Sequence, residues 1–164
     1  MTAIDPAEYQ TMMLELLDQT STLMLASLDD AHFPDASLAP YLYYQGGFWI
    51  FVSQLSKHTA NLLERKKASV LIREEVVKPA NPFTLKRASA QCEVDVVEDN
   101  KEAILDKMGE RLGNTVGLLR QLGDFHLIKL TPLKGQYIAG FGQAFDIDFA
   151  DLALKHINPA RGGS

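Results

Sequence analysis

The chain has 164 residues, of which 46% are hydrophobic and 23% are charged, and its formal net charge is −5. This length suits one globular domain, and the composition excludes disordered, collagen-like and low-complexity classes. The acidic balance argues against non-specific nucleic-acid binding, although a small basic pocket could still take an anion. The single cysteine, Cys92, can form neither an intramolecular disulfide nor a cysteine-based zinc site. No apolar run approaches the ~20 residues of a membrane span and no signal peptide is visible, so we expect a cytoplasmic protein with no membrane partner.

The first element is predicted to be a helix that follows Asp5. Asp5 is a good N-cap residue, Pro6 fits the first helical position, and Glu8 has the spacing of a capping box. Apolar side chains then recur at helical spacing on one face, which we expect to be buried: Tyr9, Met12, Met13, Leu16 and Leu17.

Three extended segments come next, at residues 23–28, 36–44 and 48–52. The last of them is aromatic and β-branched throughout, as strands often are. Gly46 and Gly47 lie between the second and third segments and have the form of a two-residue hairpin turn. The pattern predicts a three-stranded meander.

The middle of the chain alternates between helical and extended patterns. A short helix is predicted over residues 53–65, with Ser56 as its N-cap, and a fourth strand over 69–73. A proline-containing loop follows, because Pro79 and Pro82 cannot pair inside a sheet. Residues 84–97 then form one long predicted strand.

The C-terminal part is predicted to be helical first and then extended. Asp99 and Glu102 have the spacing of a second capping box, for a helix that ends at Gly113. A short helical piece at 116–122 precedes a last hairpin, whose turn is Pro132-Leu133-Lys134-Gly135.

Six or seven strands in antiparallel order, with helices between them, predict a mainly β fold with flanking helices. The expected architecture is a closed or nearly closed antiparallel β-barrel. No repeat and no long linker divides the chain. We therefore expect one domain over residues 1–147, including the N-terminal helix, and a C-terminal tail with a short helix over residues 148–164.

The start of the second helix has a composition suited to binding an anion. A helix N-terminus offers unpaired N–H groups and a positive dipole end, so that a phosphate or carboxylate is favoured there. Simple capping by Ser56, with solvated neighbours, explains the same residues equally well. The candidate anion-binding residues are Ser53, Ser56, Lys57, His58 and Asn61.

Three residues elsewhere are further candidates. Arg87 lies early in the long strand beside Lys86, and alternation places one side chain of this pair on each face. Whichever of the two faces the barrel rim could reach the same anion. Asp124 either caps a turn or orients a histidine, as carboxylates do for cofactor ligands. His156 lies in the tail. No histidine pair has zinc spacing, and neither a nucleophile elbow nor a dinucleotide fingerprint occurs.

Several motifs resemble the FMN-binding split-barrel superfamily of pyridoxamine-5′-phosphate-oxidase-like proteins. These motifs are Leu25-Ala26-Ser27-Leu28, Ser37-Leu38-Ala39-Pro40-Tyr41, Ser53, Lys57-His58 and Asn61-Leu62. Others resemble its heme-utilisation branch, the HutZ/HugZ type, namely Met108–Gly113, Asp124-Phe125 and Gly140-Phe141-Gly142-Gln143-Ala144. The resemblance covers about residues 23–152.

The resemblance implies a homodimer of split barrels with two equivalent cofactor sites at the subunit interface. In the flavin-binding members, the region of Ser53 and Lys57 holds the FMN phosphate, with help from Arg87. In the heme-utilisation branch, heme occupies the dimer cleft and a tail histidine ligates the iron. An aspartate matching Asp124 then hydrogen-bonds that histidine from the other subunit, which raises its basicity.

The tail departs from the family pattern. The family's ligand lies in a Gly-His-Arg context, and the nearest counterpart here is Ala160-Arg161-Gly162. Either His156 replaces the ligand, or the chain lacks it, or the chain ends short of it.

On this resemblance we expect a homodimer that binds heme and degrades it oxidatively to release iron. The alternatives are an FMN-dependent oxidoreductase and a non-enzymatic heme carrier, so the resemblance leaves open whether the protein is an enzyme.

Overall fold

The structure is a computed structural model that describes residues 5–157. Its first helix, α1, spans Pro6–Gln19, as predicted. Asp5 caps the helix, because its carboxylate Oδ1 accepts a hydrogen bond from the amide of Ala7 at 3.0 Å. The buried face of α1 consists of Tyr9, Met13, Leu16 and Leu17.

The described strands form one antiparallel sheet, which confirms the predicted mainly β class. They are β1 (Thr22–Leu28), β2 (Pro34–Pro40), β3 (Leu42–Tyr44), β4 (Gly47–Ser53), β5 (Lys67–Arg73), β6 (Arg87–Val97), β7 (Phe125–Gly140), β8 (Gln143–Ile147) and β9 (Leu154–His156). Their order is β2-β1-β5-β6-β7-β4-β3, with β8 paired to β7 and β9 paired to β8. Nine strands are therefore described, against the six or seven predicted.

Three further α-helices connect the strands: α2 (Lys57–Arg65), α3 (Glu102–Leu112) and α4 (Thr115–Leu119). The predicted capping box at Asp99 is wrong, because α3 begins later, after Lys101, and has no side-chain cap. Pro82–Thr84 forms a short 3₁₀ turn in the loop before β6. Among residues 5–157, none of the helices has both the length and the apolar character that a membrane span requires.

The predicted three-stranded meander is wrong because the second segment breaks at Tyr41. β2 pairs with β1 and β3 pairs with β4, at opposite ends of the sheet order. The buried Tyr41 hydroxyl donates to the carbonyl of Leu17 at 2.8 Å and lies 2.7 Å from Thr20 Oγ1. The chain passes from one end of the strand order to the other at Tyr41. The hairpin turn is Gln45-Gly46, with φ of 48° and 70°, rather than Gly46-Gly47.

The predicted last hairpin is also wrong, because β7 is one continuous strand. Its first half pairs with β4 and its second half with β8, while β6 pairs along most of its length. The β6–β7 register shifts where Cys92 faces Pro132 and Gln91 faces Lys134, which leaves Leu133 as a β-bulge.

Most of the core fills the barrel beneath α1, and a second cluster lies under α3 and α4. Cys92 is part of the main core, so the structure gives it a packing role. The short helix predicted in the tail is wrong within the described residues, since Leu154–His156 forms the edge strand β9.

Candidate functional site

The end of β4 and the start of β7 bring Ser53 and Asp124 together. These strands are antiparallel, with Ser53 facing Phe125. Ser53 Oγ donates to Asp124 Oδ2 at 3.1 Å and accepts from the amide of Leu55 at 3.1 Å. The amide of Gln54 donates to the main-chain oxygen of Asp124 at 2.7 Å. Asp124 therefore fixes the turn that leads into α2.

The first turn of α2 is capped by main-chain and threonine contacts. Ser56 occupies the N-cap position, as predicted, but its side chain makes no capping hydrogen bond. Its amide donates to the carbonyl of Ser53 at 3.1 Å, and its own carbonyl accepts from the amide of Thr59 at 3.0 Å. Thr59 Oγ1 also donates to the Ser53 carbonyl, at 2.6 Å. The Ser56 hydroxyl is thus not needed for the local fold.

Lys57 and Asn61 contact a carboxylate that sequence reasoning missed. Lys57 Nζ lies 3.4 Å from Asp35 Oδ1, and Asn61 Nδ2 donates to Asp35 Oδ2 at 3.3 Å. Asn61 Nδ2 also donates to the buried Ser27 Oγ at 3.0 Å. Asp35 lies opposite Ser27 in the β1–β2 pairing. Asp35 could have been predicted as a site residue only if this register had been predicted. The candidate anion site therefore already contains an anionic group of the protein itself.

His58 packs beneath the start of α2, against β2. Its Nδ1 lies 3.0 Å from Ser37 Oγ, and its Nε2 is buried with no hydrogen-bond partner among residues 5–157. Burial lowers the pKa of His58, and the nearby charge of Asp35 opposes this effect without reversing it. The lowered pKa of His58 favours its neutral imidazole form.

Arg87 does not join this group within one chain. Arg87 pairs with Arg73 of β5. Asp35 pairs with Ser27 of β1, and the same row of the sheet continues across β5 to Cys92 of β6. The two positions are five residue steps apart along β6, which is roughly 17 Å at the rise of a strand. Arg87 Nη1 donates to the carbonyl of Leu85 at 3.0 Å.

His156 lies on the edge strand β9, far from Asp124 in the same chain. Its Nε2 is 3.3 Å from the carbonyl oxygen of Gly142, and its ring packs edge-on against Phe145 with centroids 5.2 Å apart. Asp124 precedes β7, whereas β8 and β9 lie beside its far end. A contact between His156 and Asp124 therefore needs a second chain. The Ala160-Arg161-Gly162 motif lies outside the described residues.

The outer side of the sheet carries mostly small or apolar side chains around its centre. Because side chains alternate along a strand, the residues between the core positions of β1, β2, β5 and β6 point outward. We call this surface the outer face: Met24, Ala26, Ala36, Leu38, Ser69, Leu71, Ser89 and Gln91. Two adjoining grooves of about 540 and 450 Å³ meet on it at Ser69 and Gln91. Within residues 5–157, no group of three or more His, Cys, Asp or Glu residues is arranged to hold a metal ion.

Comparison with known proteins assigns this architecture. The pyridoxamine 5′-phosphate oxidase family matches residues 10–139. The chain is 32% identical over 141 residues to the heme oxygenase HutZ of Vibrio cholerae serotype O1, covering 84% of this chain and 80% of that protein.

Two solved structures show the same fold. The crystal structure of HutZ, called the heme storage protein from Vibrio cholerae, superposes with a TM-score of 0.70 at 29% identity, covering 75% of this chain and 89% of that one. Campylobacter jejuni ChuZ superposes with a TM-score of 0.84 at 25% identity, covering 96% of this chain and 67% of that one. The chain therefore belongs to the pyridoxamine 5′-phosphate oxidase family of split-barrel proteins and, within it, to the HutZ-type branch.

Proposed function

We propose that this protein binds heme in the seam between two copies of the chain and degrades it oxidatively to release iron. The observation that carries the proposal is the 32% identity to a heme oxygenase over 84% of the chain. The proposal includes the homodimer, because Asp124 and His156 lie too far apart to act together in one subunit.

The outer face fits a flat prosthetic group between two subunits. Most of its side chains are small or apolar, and Leu38 is 58% exposed although it is a large hydrophobic residue. Met24 and Leu71 continue the same row on β1 and β5. Burial of this surface against a second copy would be favourable, and a planar ring would find apolar contacts at its edge.

The donor chemistry of the tail also fits heme. When bound, heme would supply an iron centre for oxygen chemistry, and histidine is a common axial ligand of that iron. His156 is exposed, and its Nε2 lies 3.3 Å from the Gly142 carbonyl oxygen, which is its one polar contact among residues 5–157. It is the candidate iron ligand, and it would have to leave the Gly142 carbonyl in order to bind.

Asp124 is the candidate catalytic residue. Its Oδ2 accepts from Ser53, and its Oδ1 accepts no hydrogen bond from residues 5–157. That oxygen could accept the N–H of a histidine from the partner subunit's tail. Such a contact fixes the tautomer of the histidine and raises its basicity, which tunes a bound metal.

FMN is a second candidate cofactor because of the residues at the start of α2. The Lys57 side chain is 65% exposed beside a helix N-terminus, as a phosphate would require. However, a phosphate bound to Lys57 would lie close to the Asp35 carboxylate and would be repelled by its negative charge. This repulsion favours heme over FMN.

Thermal denaturation with each ligand separates the two cofactors. A ligand that binds only the folded state raises the melting temperature, by an amount that grows with its concentration relative to Kd. We expect hemin to raise it and excess FMN to leave it unchanged. A rise with FMN alone would reverse the assignment.

Aerobic reduction separates the heme-degrading enzyme from the heme carrier. In air with ascorbate, we expect the hemin-loaded protein to lose its Soret band, whereas a carrier would keep it. Asp124→Asn should slow this loss on the order of tenfold, as is typical for residues behind a metal ligand. His156→Ala should shift the Soret band, and His32→Ala, which changes an exposed turn residue, should do neither.

A further inference from the structure

The edge strand β9 is held on the sheet by few contacts. We call β9 and its flanking residues, 153–157, the strap. Among the described strands, β9 pairs only with β8. Lys155 and His156 are exposed, and Leu154 packs only partly buried against the core. Because a segment with little buried apolar surface opens at a small part of the free energy of global unfolding, the strap can leave the sheet while the barrel stays folded.

The chain enters the strap through a strained residue. Leu152 has a φ of 60°, in the left-handed region that residues with a Cβ rarely adopt. This conformation is unfavourable for leucine and persists only where the surrounding structure holds it. A change of φ at this residue would redirect every residue that follows it. Leu152 is therefore placed as a hinge for the strap.

Gln10 of α1 holds this hinge in place. Its side-chain Nε2 donates to the carbonyl of Leu152 at 3.0 Å and to the carbonyl of Asp151 at 3.2 Å. A side-chain amide has two N–H donors, so both hydrogen bonds form at once. The two carbonyls stand on either side of the strained φ of Leu152. Rotation about that bond changes their relative orientation, so both bonds to Gln10 cannot survive it.

The held conformation keeps His156 occupied. Its Nε2 lies 3.3 Å from the carbonyl oxygen of Gly142, and its ring packs edge-on against Phe145. A ring nitrogen that ligates a metal cannot keep another hydrogen-bond partner at the same atom. The docked strap therefore competes with any ligation of iron through this nitrogen.

We propose that Gln10 holds the strap as an autoinhibitory element, and that its release at Leu152 frees His156 to ligate heme iron. The inference rests on the proposed function, because it concerns the control of the candidate iron ligand. If only the released state can ligate, the apparent affinity for hemin is reduced by the released fraction. Gln10 is thus a positioning residue that acts through the strap.

Gln10→Glu is the variant that releases the strap. It keeps the side-chain shape and suits the first half of a helix, but it places a carboxylate against two carbonyl oxygens. The amides of Asp148 and Ile157, which bond across the β8–β9 ladder, should exchange hydrogen on the order of tenfold faster, whereas those of the β6–β7 ladder should not change. The Kd for hemin should fall by a similar factor. Gln19→Glu makes the same charge change at an exposed position of α1 and should alter neither quantity.

A disulfide between β8 and β9 tests the strap in the opposite direction. Asp146 and Lys155 are directly opposed and exposed, and paired positions of this kind lie at a Cα distance that a disulfide can span. Cys92 is buried in the core and does not compete. The oxidised Asp146→Cys/Lys155→Cys variant should bind hemin at least about tenfold more weakly than Asp146→Ser/Lys155→Ser. Its Soret band should match that of His156→Ala.

The outcomes separate the strap from the proposed function. If Gln10→Glu speeds exchange without tightening hemin binding, or if the oxidised variant binds hemin as its serine control does, the autoinhibition is wrong while heme binding stands. Unchanged exchange in Gln10→Glu would show that Gln10 does not hold the strap. If wild type and all the variants fail to bind hemin, the proposed function fails, and the control of heme ligation fails with it.

Discussion

His58 illustrates how single residues around α2 serve the fold and the candidate site at once. Its imidazole packs under the helix start, with Nδ1 bonded to Ser37 and Nε2 buried without a partner. Asn61 completes the cluster by bridging Ser27 and Asp35. Protonation of His58 would place a charge on a ring whose Nε2 is shielded from solvent, so burial favours the neutral ring.

The stability of the protein should therefore depend on pH through His58. Burial lowers the pKa of His58 in the native state. As the pH falls, His58 is therefore protonated in the unfolded chain before it is protonated in the native chain, which favours unfolding. The stabilisation is complete above the ordinary histidine pKa of about 6.5 and is lost as the pH falls below it. Replacing His58 with Gln should reduce the drop in melting temperature between pH 7.5 and pH 5.5. His32→Asn, at an exposed turn, should behave as wild type, and an unchanged drop in His58→Gln would contradict the account.

The sequence predicts the site residues that are close along the chain and misses those that long-range pairing brings in. Lys57, His58 and Asn61 share one helix start, so a local pattern reveals them. Asp35 lies near them because β2 pairs with β1 in a particular register. A sequence pattern does not specify this register unless the geometry of the turn between the two strands is known. The contact between Ser53 and Asp124 likewise depends on the pairing of β4 with β7.

At the level of elements, β7 shows why a local turn signal can be wrong. Pro132 and Gly135 are typical of a hairpin turn, yet both lie inside the strand. Among the described strands, none pairs with one side of β7 between Leu130, where pairing with β4 stops, and Gly135, where pairing with β8 begins. Pro132 falls in this gap and beside the bulge, so that its missing N–H is tolerated.

Gly135 has a steric reason to be glycine. A Cβ at this position would overlap the carbonyl oxygen of Ser89 on the neighbouring strand. Gly135→Ala should therefore lower the free energy of unfolding by on the order of 3 kcal/mol, measured by chemical denaturation. Gly117→Ala is the matched control, because a Cβ there meets no atom within 4 Å and alanine favours the helix by up to about 1 kcal/mol. Equal stability of the two variants would contradict the observed packing of β6 on β7.

At the level of the whole molecule, the outer face is the surface that the single chain leaves without a partner. Alternation of buried inward residues and more exposed outward residues along β1, β5 and β6 produces it. The sequence indicates the antiparallel barrel from its turn spacing and alternation, but the outward positions become one surface only when the strand order is known. That order depends on long-range pairing, for which the sequence carries no local signal.

A charge in the middle of the outer face should separate the proposed dimer. Wild type should have a mass of about twice 18.2 kDa in solution, measured by light scattering. Ser69→Arg, at the meeting point of the two grooves, should give a folded monomer because it buries an unpaired charge in the interface. Leu14→Arg, on an exposed position of α1, should stay dimeric. A monomeric wild type would contradict the proposed dimer. A dimeric Ser69→Arg variant would show that the interface between the two subunits lies elsewhere.

Heme binding itself is tested most directly by titrating the purified protein with hemin and, in parallel, with FMN, and recording the absorbance. The account predicts a Soret band that saturates at one heme per chain, two per dimer, and a flavin spectrum that stays that of free FMN. A spectrum of free hemin throughout the titration, together with saturable binding of FMN, would contradict it.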